Sequence, residues 1–160
     1  MKATDYALAL YQHIDLTKPP VELPSILKAV DISVQAADLG GSALGYSVQM
    51  NERPLIIVDR GLSLARKRFT IAHELGHCIM HPGRGQLART ERTGRLERQA
   101  DIFAATLLMP EPMVRSWWDR CRRRGFEEAV RQMAWDFQVS RRAMEIRLEE
   151  LGFLAGAVGL

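Results

Sequence analysis

The run His73-Glu74-Leu75-Gly76-His77 constrains this chain more than any other feature. On an α-helix, side chains four residues apart stand one turn above each other on the same face, so both imidazoles can reach one ion at roughly 2.0–2.1 Å. Glu74 falls beside them, where a carboxylate can reach a water on an open coordination position and act as its base. The flanking sequence supports a helix here. Ser63 is a good N-cap, Phe69, Ala72, Leu75 and Ile79 recur as one buried stripe, and Pro82 ends the run after about His81. Three of the four histidines, at 73, 77 and 81, lie in this segment, the only one that also carries a glutamate in the required slot. Gly76 costs a helix interior about 1 kcal/mol relative to alanine, which implies close packing against a neighbour.

A catalytic zinc site takes three protein ligands and keeps one position open. His81 is eight residues beyond His73, about 12 Å along the axis, too far for all three rings to meet one ion. A third histidine six positions past His77 would fall at 83, which is Gly83. A glutamate from the next helix remains, and Glu97 is well placed, with Ala100, Ala104 and Ala105 allowing close helix approach. Asp101, one turn on, shares its face and can accept the second ring N–H of a ligand histidine. The competing ligand is Glu91, in a Gly-rich polar loop, and the bland alternative for Glu97 and Asp101 is two solvated helix acids.

Phe69-Thr70-Ile71-Ala72-His73-Glu74-Leu75-Gly76-His77, followed by Glu97-Arg98-Gln99-Ala100-Asp101-Ile102-Phe103-Ala104-Ala105-Thr106-Leu107-Leu108-Met109-Pro110, resembles the ImmA/IrrE family of bacterial and phage metallopeptidases, in both motifs and in their order. The resemblance covers most of the chain from the strands onward. It implies a gluzincin-like fold, Zn2+ held by His73, His77 and Glu97, and Glu74 as the catalytic residue. It also implies a gene-regulatory role, in which a helix-turn-helix repressor or an antitoxin is the protein substrate. Many members carry Glu where Gln99 stands.

The rest of the chain predicts an α+β, zincin-like fold. An amphipathic helix from about Asp5 to His13 and a Pro19-Pro20 joint lead to a second helix over Glu22–Val30. Strand-like runs at Ile32–Ala36, Leu44–Met50 and Leu55–Val58, punctuated by Gly40-Gly41 and Asn51–Pro54, predict a small antiparallel three-stranded sheet packed on the active-site helix pair. Residues 1–110 form the expected metallopeptidase core and 111–160 a C-terminal helical subdomain packed on it. Within the latter, Trp135 to Leu148 reads as helix, tight turn and Ser-capped helix, similar to a helix-turn-helix, with Arg141 and Arg142 at the second helix start. Trp117 and Trp118 read as packing residues.

Charge decides against a nucleic-acid protein as the leading reading. The net charge is +3, yet Glu111–Glu150 carries nine arginines against eight acids, so DNA contact is weakly supported. No apolar run reaches bilayer length, the N-terminus lacks a secretory pattern, and Cys78 and Cys121 read as reduced structural thiols, which together predict a cytoplasmic protein with no membrane contact. The leading function is a zinc-dependent endopeptidase specific for a regulatory protein. A transcription-regulatory or protein-interaction module with a structural or vestigial metal is the alternative, and an iron oxygenase is weaker because it leaves Glu74 without a role. Tyr46, His81 and the loop arginines are the open choices for stabilising the oxyanion, and strand addition to a sheet edge is the expected mode of substrate binding.

Overall fold

Two helices rich in small residues at their contact make the scaffold. In the computed structural model, which describes residues 1–83 and 94–154, the first of them, α3, spans Leu64–Met80 and the second, α4, spans Gly94–Leu108. The Ser63 hydroxyl caps α3 by accepting from the Arg66 amide at 3.4 Å. Gly76 of α3 packs on Phe103 of α4, and Ala72, Leu75, Ala100, Ala104 and Leu107 of the two helices are buried as well. A Cβ added to Gly76 would stand 2.8 Å from Cδ1 of Phe103 and 3.1 Å from its Cγ, so the glycine inferred from sequence to be packing-driven is filled by this ring.

The helices α1 (Ala3–Ala9) and α2 (Leu23–Ala29) precede the sheet, with a 3₁₀ turn at Tyr11–His13 between them. The expected first helix thus changes pitch after Ala9. The Tyr11 hydroxyl donates to the Thr106 carbonyl at 2.6 Å, and the Arg68 guanidinium donates to the Val21 carbonyl at 2.7 Å, tying this N-terminal layer to α4 and α3.

The sheet corrects one expectation. Its strands β1 (Ser33–Ala37), β2 (Gly45–Met50) and β3 (Arg53–Asp59) lie in the order β1-β3-β2, with β2 antiparallel and β1 parallel to β3. The sheet is mixed, not an antiparallel meander. Asn51 and Glu52, both at positive φ, form the tight hairpin between β2 and β3. Residues 38–44, with Gly40 and Gly41 also at positive φ, are long enough to step over one strand position, about 10 Å across two strand spacings. The most apolar strand, β3, takes the gap, where Leu55, Ile56 and Val58 are buried.

After α4 come α5 (Glu111–Cys121), a 3₁₀ turn at Arg122–Arg124, α6 (Phe126–Phe137) and α7 (Arg141–Glu150). Gly125 and Gln138 make the breaks, both at positive φ. One apolar cluster runs from Ala7 and Ile26 through Ile56, Leu75 and Phe103 to Phe137, Met144 and Leu148. The buried Arg147 donates through Nε to the Met109 carbonyl at 3.0 Å and so fastens α7 to the C-terminal end of α4. Among the described residues no helix is long and apolar enough to cross a membrane, and Cys78 and Cys121 are not bridged.

Two outcomes follow from this packing. Gly76→Ala gains about 1 kcal/mol of helix propensity but forces a methyl into the fully buried Phe103 ring, a clash of about 1–3 kcal/mol, so a net fall in stability is expected in urea unfolding and should be relieved in part by adding Phe103→Leu. A Gly76→Ala protein as stable as wild type would show slack between the two helices. Burial, opposed by Arg147 and aided by Glu111, pushes the Tyr11 phenol up to about 12. Between pH 10 and about 12 the unfolded phenol is ionised while the folded one stays neutral, so stability present below pH 10 is lost across that window. Tyr11→Phe should cost about 0.5–1.5 kcal/mol at neutral pH and flatten that alkaline fall relative to wild type; an unchanged slope would contradict it.

Candidate metal centre

Helical spacing puts His73 and His77 on one face of α3, and the short approach of α4 brings Glu97 to them. The Nε2 atoms of the two histidines are 3.2 Å apart. Glu97 Oε2 lies 3.1 Å from His73 Nε2, and Glu97 Oε1 lies 2.9 Å from His77 Nε2. Donors bound tetrahedrally at 2.0–2.1 Å sit about 3.3 Å from one another, so this spacing suits a single divalent ion. The donor set, two imidazoles and a carboxylate, is the type that zinc takes in catalytic sites, and the three side chains fit that group.

The surroundings hold these rings in place. Asp101 Oδ1 is 2.8 Å from His73 Nδ1, as expected from its position one turn after Glu97. Burial disfavours charge on His73, but the hydrogen bond and charge of Asp101, with the Glu74 and Glu97 carboxylates, outweigh it and raise its pKa above the ordinary imidazole value. Glu74 is 3% exposed and lines the cleft next to His73.

His81 stands outside the cluster formed by His73, His77 and Glu97 and does not line the cleft. Its Nδ1 lies 3.1 Å from His77 Nδ1, on the far side of that ring, and its Nε2 lies 3.0 Å from Gln99 Oε1. The side chain is engaged at both nitrogens, which places it behind the cluster, away from the cleft. Tyr46 is not among the described residues that line the cleft, because alternation along β2 turns Gly45 and Ser47 inward and Tyr46 to the other face. Glu91 and the arginines of 84–93 lie outside the described residues.

The centre opens at the head of a cleft of roughly 850 Å³. Its walls include Phe69 of α3, Ile102 and Ala105 of α4, Ala143 and Ile146 of α7, and Gly45 at the start of β2. A Cβ on Gly45 would meet Thr70 Cγ2 at 2.7 Å, so glycine is what allows β2 to lie this close to α3. Periodicity alone assigns α7 a buried face without saying what it packs on; the structure puts its Arg142–Ile146 flank on the cleft. Arg141 pairs with Glu127 and Glu145, and Arg142 with Glu145 at 3.6 Å. Trp117 donates to Asp136 at 2.9 Å and Trp118 packs on Phe153, the structural roles expected of them.

Residues 27–149 match the family described as the IrrE N-terminal-like domain, Peptidase_M78. A protein of Bacillus phage phi105, named "Uncharacterized immunity region protein 2", is 30% identical over 102 residues, which are 61% of this chain and 63% of that protein. The chain thus spans under two thirds of that relative's length. On the match over most of its length, the chain belongs to the Peptidase_M78 family of IrrE N-terminal-like domains, a metallopeptidase family.

Proposed function

We propose that the chain is a zinc-dependent endopeptidase that cleaves a regulatory protein, such as a helix-turn-helix repressor or an antitoxin, at a defined site. The convergence of His73, His77 and Glu97 at the head of an open cleft carries this reading. Membership of a metallopeptidase family supports it, as does a relative named for a phage immunity region.

In this reading His73, His77 and Glu97 hold the metal, and Asp101 fixes the His73 ring by accepting its Nδ1–H. Zinc, when bound, supplies Lewis acidity that polarises a scissile carbonyl and acidifies a water. Glu74, buried beside His73, takes the proton of that water and passes it to the leaving amine. β2 is an edge strand whose first residue, Gly45, lines the cleft, so a substrate added along that edge runs past the centre. Residues 111–154, the described part of the expected 111–160 subdomain, act as a helical unit whose α7 closes the far wall.

A purely structural metal fits less well. Such sites are closed by four protein ligands, and the cluster of ligating side chains found among the described residues has three, on an open cleft. The DNA reading weakens too, because Arg141 and Arg142 are paired with carboxylates and the Arg142–Ile146 flank of α7 faces the cleft.

Wild type is expected to hold about one zinc per chain, lost in His73→Ala and Glu97→Ala and kept in Glu74→Gln. A repressor or antitoxin that wild type cleaves should be cleaved at least ~10²-fold more slowly by Glu74→Gln. Metal retained by Glu97→Ala, or wild-type cleavage by Glu74→Gln, would overturn the assignment.

A further inference from the structure

We infer that Gln99 and His81 are positioning residues that set the tautomer of His77, so that its Nε2 offers a lone pair to the metal centre. The inference rests on the reading of His73, His77 and Glu97 as metal ligands.

His77 is 2% exposed, so its second nitrogen depends on a protein partner more than on water. That partner is His81, with the two Nδ1 atoms 3.1 Å apart. A neutral imidazole carries one N–H, and two nitrogens facing each other can share only one hydrogen, so the tautomers of the two rings are coupled. Gln99 presents its amide oxygen, an acceptor, 3.0 Å from His81 Nε2. Glu97 Oε1, 2.9 Å from His77 Nε2, is an acceptor as well, so without an ion the three contacts of the row call for three hydrogens where two neutral rings carry two. With a cation in place of the hydrogen at His77 Nε2 the count closes: His81 donates from Nε2 and accepts at Nδ1, His77 donates from Nδ1, and His77 Nε2 offers its lone pair to the ion. A donor at position 99 would reverse every step and put a hydrogen on His77 Nε2, in the space between the three donor atoms where the ion belongs.

The same helix supplies both supports by simple geometry. At about 100° per residue, Glu97 and Gln99 leave α4 about 200° apart, on opposite flanks of the stripe formed by Ala100, Phe103 and Ala104. Glu97 and Asp101 thus reach the histidine row of α3 from one side, and Gln99 reaches its end from the other. His73 is held by a carboxylate directly and His77 by a neutral amide through one intervening ring.

The test compares zinc affinity, by competition with a chromophoric chelator at pH 7.5, among wild type, Gln99→Glu, Gln99→Leu and Gln99→Lys. Gln99→Glu keeps an acceptor and should bind zinc at least as tightly as wild type. Gln99→Leu removes the acceptor and Gln99→Lys replaces it with a donor; both should bind about 10–100-fold more weakly. The thermal midpoint of metal-free Gln99→Leu should stay close to that of wild type, which separates positioning from loss of fold. Two-bond ¹H–¹⁵N spectra of zinc-loaded wild type and Gln99→Glu should show the His77 hydrogen on Nδ1 and the His81 hydrogen on Nε2. Equal zinc affinity in all four proteins, or Gln99→Glu as weak as Gln99→Leu, would overturn the relay alone. Wild type that binds no zinc would overturn the metal centre and the relay with it.

Discussion

The contact between Gly76 and the Phe103 ring is the constraint on which the rest depends. It sets how near α4 comes to α3, and that distance decides whether Glu97 stands about 3 Å from two imidazole nitrogens or out of their reach. Everything else at the site is placed by helical phase once this distance is fixed. His73 and His77 come from one turn of α3, Glu97 and Asp101 from one turn of α4, and Gln99 from the opposite flank of the same helix. The outer layers hold the pair from several directions: Tyr11 bonds to the Thr106 carbonyl, Arg68 to Val21, and Arg147 to the carbonyl that follows α4.

The legible part of the molecule is the part governed by short-range periodicity. Four-residue spacing is enough to align His73 with His77 and Glu97 with Asp101, and an unfavourable glycine inside a helix announces a close neighbour before that neighbour is known. The boundaries of α3 were readable because Ser63 and Pro82 act on the backbone locally. Strand order was not. β1 pairs with β3 because residues 38–44 can cross a strand position, and no alternation within β1 or β2 encodes which neighbour each will find. Likewise the spacing 73-77-81 placed His81 too far from the ion to be a ligand, but gave no sign that its ring would turn back onto His77. There its Nε2 meets the amide oxygen of Gln99, a residue on another helix.

The C-terminal helices show how a local pattern can carry two meanings. A helix, a left-handed Gln138 and a Ser140-capped helix resemble a helix-turn-helix, yet the same amphipathic pattern serves to pack α7 against α4. Its flank from Arg142 to Ile146 then becomes a wall of the cleft that leads to the candidate metal centre. The cleft is therefore assembled from β2, α3, α4 and α7, elements more than 90 residues apart in sequence. In the proposed peptidase, that wall gives α7 a hand in choosing substrates.

X-ray absorption at the zinc edge of the loaded protein tests the central claim most directly. The account predicts a first shell of nitrogen and oxygen at about 2.0–2.1 Å, with the outer-shell scattering of two imidazoles and no sulfur. A sulfur shell near 2.3 Å, which would bring in Cys78 or Cys121, or the scattering of one imidazole or three, would contradict it.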